Sequence, residues 1–129
     1  MTKEAHIKFW ADSSADDWDT AVFLAEGKRF SFCLFSLHLS TEKLLKAIWI
    51  KENISSTPPY THDLIKLTDD LSLNLNPSQY DFLSIITSWN IRGRYPDYSR
   101  AMQSAATESY IDEQLKKVKE LRECLQKNI

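Results

Sequence analysis

Three polar side chains recur at four-residue intervals in the largely apolar stretch from Phe30 to Ile50. His38, Glu42 and Lys46 would lie along one stripe of an α-helix, because residues four apart share a helical face. A Glu four residues before a Lys commonly forms a plain helical salt bridge, with the histidine half-buried beside it. In the alternative interpretation the stripe is a site, in which Glu42 receives an arginine from another segment and Lys46 meets an anion.

A dense polar loop, Asn90 to Ser99 (NIRGRYPDYS), is where such an arginine would come from. The planar donors of arginine suit carboxylate and phosphate oxygens in a way that a lysine ammonium cannot match. Arg92 and Arg94 would therefore bind phosphate, or they would pair with Glu42 or Asp17 and serve only to hold the loop in place. The residue types alone leave both interpretations open.

The histidines limit the chemistry that the chain can perform. His62 opens a short predicted helix, where the helix dipole favours the neutral imidazole, which could act as a base or simply orient the start of the helix. His6, His38 and His62 lack the i,i+4 spacing of a helix-borne metal site, so we predict no metal ligands. With two glycines, the chain has no glycine-rich phosphate loop and no nucleotide fingerprint, and we predict no bound cofactor.

The bulk composition limits the fold and the setting. A chain of 129 residues fits one domain, and 2 Gly and 4 Pro supply too few turns for a many-stranded β-fold. The formal net charge of -2 excludes a global basic field for nucleic acid. Two isolated cysteines, no signal-peptide pattern and no membrane-length apolar run lead us to expect a cytoplasmic protein without membrane contact.

Hydrophobic periodicity predicts an all-α fold, in which the first two helices form an antiparallel hairpin. We expect Gly27 to end the first helix in a left-handed conformation, Gly93 and Pro96 to interrupt any helix after Trp89, and Arg122 to point outward. The predicted helices cover Ala5 to Glu26, Phe30 to about Glu52, His62 to about Leu71 behind a Thr61 cap, Pro77 to about Trp89, and a last segment capped by Thr107.

Several motifs stand in a particular order along the chain: Trp10 and Asp17 on the first helix, EKxxKA (Glu42, Lys43, Lys46, Ala47), THDL (Thr61 to Leu64) and RYPD (Arg94 to Asp97). Over roughly Trp10 to Leu125, this order resembles the HEPN family of small all-α domains. The resemblance implies an antiparallel up-and-down bundle of four main helices plus one short helix, often dimeric. It also implies a minimal nucleotidyltransferase partner, in a toxin–antitoxin or nucleotide-binding pair.

The chain departs from the ribonuclease members of that family. In the ribonuclease members of the family that the chain resembles, an Arg is followed after four to six residues by a His. These residues form a composite site across the dimer, which activates the ribose 2′-hydroxyl. Here all three histidines precede Arg92, so neither Arg92 nor Arg94 has that His downstream. Arg29 and His38 have the right order but eight residues intervene, and a carboxylate such as Asp97 does not ordinarily titrate near neutrality. We therefore lean towards a chain that is not an enzyme.

The sequence favours a non-catalytic accessory domain, expected to be a homodimer, that binds a nucleotide, RNA or a nucleotidyltransferase partner. Two alternatives stay open: a metal-independent ribonuclease toxin that uses His38 or His62 as an unusual base, and a purely structural dimerisation or scaffold module. The predicted ligand-binding residues are Lys46, Arg92 and Arg94 for phosphate and Tyr95 or Tyr98 for stacking on a base, supported by Asp17, His38, Glu42, His62 and Asp97.

Overall fold

The computed structural model describes residues 1–94 and 106–129, and residues 91–94 in backbone only. Within these ranges the chain is all-helical, with five helices and no strand, which confirms the predicted all-α class. The antiparallel arrangement of the whole bundle stays a prediction. The helices are α1 (Lys3–Glu26), α2 (Phe30–Glu52), α3 (Leu64–Thr68), α4 (Pro77–Arg94) and α5 (Glu108–Gln126).

Helix α2 is the centre of the structure. It contacts α1, α3, α4 and α5, and most of its side chains from Cys33 to Ile50 are buried, as its nearly continuous apolar sequence predicts. Helices α1 and α2 run antiparallel. Along α1, Lys3 contacts Asn53, Trp10 contacts Lys46 and Ser14 contacts Ser40, so the residue number of the partner decreases as that of α1 increases. The main buried core comprises Ala21, Cys33, Leu34, Leu37, Leu44, Leu45, Ile48, Leu64, Leu67, Leu83, Ile86, Trp89, Ala106, Ile111, Val118, Leu121 and Leu125.

The turn between α1 and α2 corrects one prediction. Gly27 follows the last residue of α1, but its φ is -82°, and the left-handed residue is Lys28 with φ 58°. The Arg29 N–H donates to the Leu24 carbonyl at 2.8 Å and the Lys28 N–H donates to the Ala25 carbonyl at 3.0 Å. This is a Schellman motif, in which the left-handed position lies one residue beyond the cap. The expectation of a left-handed Gly27 was therefore wrong.

Two other helix boundaries differ from the predicted ones. Helix α3 is capped by Asp63, whose side chain accepts from the Ile65 N–H at 3.0 Å, whereas the Thr61 hydroxyl accepts from the Asp63 N–H. Helix α4 continues through Gly93 to Arg94. Glycine weakens a helix by about 1 kcal/mol relative to alanine but does not forbid it, so the predicted interruption at Gly93 was wrong, and Pro96 lies outside the described residues.

Helix α5 begins as predicted, because the Thr107 hydroxyl accepts from the Tyr110 N–H at 3.1 Å. Its Arg122 is buried, which contradicts the outward orientation expected from the sequence. The guanidinium carbon lies 5.6 Å from the Trp18 ring centroid, and one guanidinium nitrogen is 3.4 Å from the Ser14 hydroxyl. No helix of the described ranges is both long and apolar enough to cross a bilayer.

Candidate functional site

The carboxylate of Glu42 is the centre of a buried polar cluster on α2. Its side chain is 5% exposed. One oxygen, Oε2, accepts from the Lys46 ammonium at 3.3 Å, and the other, Oε1, accepts from His62 Nδ1 at 2.7 Å. Both oxygens are therefore engaged, and the negative charge of Glu42 is balanced locally by Lys46.

His62 joins this cluster from the segment before α3. Because a carboxylate only accepts hydrogen bonds, His62 Nδ1 is the donor in this contact. The side chain is 53% exposed. The arrangement is an imidazole oriented by a buried carboxylate, on a side chain that solvent can reach.

His38 also contacts the segment before α3. Its side chain is fully buried, and its Nε2 donates to the backbone carbonyl of His62 at 3.0 Å. The same nitrogen lies 3.9 Å from Glu42 Oε1. We refer to His38, Glu42, Lys46 and His62 as the Glu42 cluster. The sequence predicted the stripe of His38, Glu42 and Lys46 on α2, and the structure shows that His62 contacts this stripe from another segment.

Lys46 connects the Glu42 cluster to a neighbouring cavity. Its ammonium lies 5.3 Å from the centroid of the Trp10 ring, within the range of a cation–π contact. We call this space the Trp10 cavity; its volume is about 310 Å³. It lies between α1, α2 and the irregular segment that follows α2, and is lined by Met1, His6, Phe9, Trp10, Lys46, Ser56, Thr57, Pro58, Pro59 and Tyr60.

Asp17 lies in a separate ion pair between α1 and α2. Its Oδ2 is 2.7 Å from the Lys43 ammonium, which also donates to the Ser13 hydroxyl at 2.8 Å. Asp17 therefore has a described partner within the hairpin. The predicted contact of Asp17 with a loop arginine stays a prediction, because the arginine side chains are outside the description.

Helix α4 contacts the start of α3 at Thr87, about two turns before its arginine-bearing end. The Leu64 N–H donates to the Thr87 hydroxyl at 3.1 Å, two residues after His62. From Thr87 to Arg94 the helix advances roughly 10 Å at 1.5 Å per residue. The backbones of Arg92 and Arg94 thus fall in the last turn of α4, two turns beyond this contact. The predicted site residues Tyr95, Asp97 and Tyr98 lie outside the described residues.

Sequence reasoning did not find the Trp10 cavity as a site. Trp10 entered only as a family motif, and the signal for Tyr60 was an aromatic residue after two prolines in a polar segment. Nothing local shows that these residues converge on Lys46. Within the described ranges, no group of three or more His, Cys, Asp or Glu side chains is arranged to hold a metal ion.

A comparison with known families identifies the chain. The family model described as HEPN domain matches residues 7–129, nearly the whole chain. No curated protein matches it, and no solved structure does. The match includes the motifs of α1, α2 and the α3 segment, which form the hairpin and the Glu42 cluster, and it confirms the resemblance noted from the sequence. The chain belongs to the HEPN domain family.

Proposed function

We propose that residues 1–129 form a single, non-catalytic HEPN accessory domain that binds nucleotide or RNA phosphates. The surface would comprise the Glu42 cluster and the arginine-bearing end of α4. Family membership supports a nucleotide- or RNA-related function. A homodimer, a minimal nucleotidyltransferase partner and a cytoplasmic location stay predictions.

The observation that carries this proposal is the state of Glu42. Its two oxygens are engaged by Lys46 and His62, so this buried acid does not require Arg92 or Arg94 as a counter-ion. We propose an external anion as the partner of the two arginine charges at the end of α4. Guanidinium groups suit phosphate oxygens, and phosphate contacts supply most of the affinity in sequence-independent nucleic-acid binding.

The non-catalytic part of the proposal is supported by the order of residues. No histidine follows Arg92 or Arg94, so the chain lacks the downstream base of the ribonuclease pattern that the resemblance describes. General acid–base cleavage needs a group that titrates near the working pH and lies within hydrogen-bond reach of the reacting hydroxyl.

Binding of a labelled ten-nucleotide single-stranded RNA, measured by fluorescence anisotropy at several salt concentrations, tests the proposal. Arg92→Ala and Arg94→Ala should each weaken binding by roughly tenfold and lower the salt slope by about one. Arg29→Ala is the matched control, because Arg29 is exposed in the turn between α1 and α2 and should leave binding unchanged. RNA affinity that is indifferent to Arg92 and Arg94, or absent from the wild type, would overturn the proposal.

One observation favours a second candidate, a metal-independent ribonuclease. His62 is oriented by the buried Glu42 at 2.7 Å, as a carboxylate orients the histidine of a nucleophilic triad, and its side chain is half-exposed. Incubation of RNA with the protein in a metal chelator distinguishes the candidates. Cleavage by the wild type that is lost in both His62→Gln and Arg92→Ala would establish the ribonuclease and refute the non-catalytic role.

A further inference from the structure

The Trp10 cavity has the size and position of a small-ligand site. Its volume of about 310 Å³ is at the lower end of the range for small-molecule pockets, roughly 300 to 1,000 Å³. Its walls come from three parts of the chain: the first turns of α1, the middle of α2 at Lys46, and the irregular segment that ends at Tyr60. A site of this size takes one ring system with its substituents rather than a folded segment of a partner.

The walls of the cavity are aromatic and partly uncovered. Tyr60 is fully exposed and Phe9 is 56% exposed, although large aromatic side chains usually bury most of their surface. The Phe9 and Trp10 rings meet edge to face, with centroids 5.6 Å apart and planes at 81°. Exposed aromatic faces around a cavity favour a planar ligand, and stacking of a nucleobase on such a face is sequence-tolerant.

The polar groups of the cavity select the charge of the ligand. No carboxylate is among its lining residues, whereas Lys46 and His6 are. An ammonium has three N–H donors, and within the described residues Lys46 uses one of them on Glu42. The other two donors suit a phosphate oxygen, and Glu42, which lies 3.3 Å from the same ammonium, is not among the residues that line the cavity.

We propose that the Trp10 cavity binds one nucleotide, with its base stacked between Trp10 and Tyr60 and its phosphate on Lys46. This inference rests on the proposed function and names the ligand class and the place where a single nucleotide is held. The nucleotide is either free or part of an RNA strand whose neighbouring phosphates reach the end of α4. A phosphate on Lys46 shares that ammonium with Glu42, which links the cavity to the Glu42 cluster.

Calorimetric titration with adenosine 5′-monophosphate, adenosine and the ten-nucleotide RNA tests this inference. Tyr60→Ala removes an aromatic ring that is fully exposed, so the fold is unaffected. It should weaken binding roughly 5- to 150-fold, and Tyr60→Phe should restore it. Phe23→Ala is the matched control, because Phe23 is a 73% exposed aromatic side chain that does not line the cavity, and it should have no effect.

Lys46→Gln tests the position of the phosphate. It should reduce the preference for adenosine 5′-monophosphate over adenosine, a ratio that cancels any general loss of the cavity. Weakening of mononucleotide binding by Tyr60→Ala identifies a free nucleotide as the ligand. Weakening of RNA binding by Tyr60→Ala, with no heat from the mononucleotide, identifies a nucleotide within RNA.

The results that overturn the inference differ from those that overturn the proposed function. If RNA binding depends on Arg92 and Arg94 but Tyr60→Ala changes the affinity for neither the mononucleotide nor the RNA, the proposed function is retained and the nucleotide site is refuted. If the wild type already binds adenosine 5′-monophosphate and adenosine with equal affinity, the assignment of the phosphate to Lys46 is refuted. If neither RNA nor nucleotide binds the wild type, both proposals fall.

Discussion

The buried pair of Glu42 and Lys46 gives the most direct test of the structure. We expect Glu42→Gln to destabilise the fold, because it removes the charge that balances an ammonium on a side chain only 10% exposed. An isolated charge in the interior is costly, and breaking a buried ion pair by removing one partner typically costs about 3 to 5 kcal/mol. Glutamine keeps one acceptor oxygen for Lys46 or His62, so we expect a loss near the lower end, about 3 kcal/mol.

A second pair in the same chain supplies the control. Glu113 and Lys117 have the same residue types, the same i,i+4 order and the same distance of 3.3 Å, but their side chains are 59% and 50% exposed. Solvent screens such a pair, so Glu113→Gln should cost only about 0.2 to 0.5 kcal/mol. The contrast between the two variants isolates burial as the cause.

Urea unfolding followed by circular dichroism measures both free energies. The double variant Glu42→Gln/Lys46→Met should recover more than half of the loss, because it removes the unpaired ammonium as well as the carboxylate. A loss for Glu42→Gln no larger than that of Glu113→Gln would refute the buried pair. So would a double variant that is less stable than Glu42→Gln.

The further predictions concern the turn between α1 and α2, the Cys33 thiol and the Arg122 guanidinium. Gly27→Ala should stabilise the fold by about 0.4 to 1 kcal/mol, because φ at Gly27 is -82° and an added Cβ meets its nearest atom at 3.7 Å. Lys28→Gly should also stabilise the fold, because it removes a left-handed lysine with φ 58°. Thermal unfolding measures both effects. Burial raises the pKa of the Cys33 thiol from 9.0 to about 12, so Cys33 should resist iodoacetamide at pH 8 in the native protein. The unfolded chain loses the Cys33 proton at a lower pH than the folded protein does. The contribution of Cys33 to the free energy of unfolding is therefore complete below pH 9. It should decrease by about 1.4 kcal/mol per pH unit as the pH rises towards 12. Burial lowers the pKa of Arg122, so Arg122→Met should leave the free energy of unfolding unchanged or raise it in urea titrations.

Each of these predictions has a contrary outcome. Destabilisation by Gly27→Ala would show that Gly27 is the left-handed residue after all. Alkylation of Cys33 as fast in the native as in the unfolded protein would exclude its burial, and a Cys33→Ala variant with the same alkaline slope would assign that slope to another group. A large loss in Arg122→Met would show that the contacts with Trp18 and Ser14 outweigh desolvation of the charge.

The helices were predictable because their signals are local. The long apolar run of α2 predicted a helix enclosed by others, and the Thr107 cap predicted the first residue of α5, since both depend on residues within one or two turns. Turn geometry was less predictable. A glycine at the end of α1 indicated a helix stop correctly, but which residue adopts the left-handed conformation depends on how the chain must enter α2 three residues later.

The same distinction applies to Arg122. The sequence grouped Arg122 with the charged residues Lys116, Lys117, Lys119 and Glu120 on the outward face, whereas α1 presents Trp18 and Ser14 to Arg122. A long side chain with an apolar stem can follow either path, and the facing helix decides which.

The opening stripe separates what each level determined. By itself the sequence determined that His38, Glu42 and Lys46 share one face of α2, because helical periodicity is a property of consecutive residues. Only the tertiary structure decided that His62, twenty residues from Glu42, supplies the second partner of its carboxylate, and that Lys46 meets Trp10 at the wall of a cavity. Those contacts depend on how α1, α2 and the α3 segment pack, which no local pattern encodes.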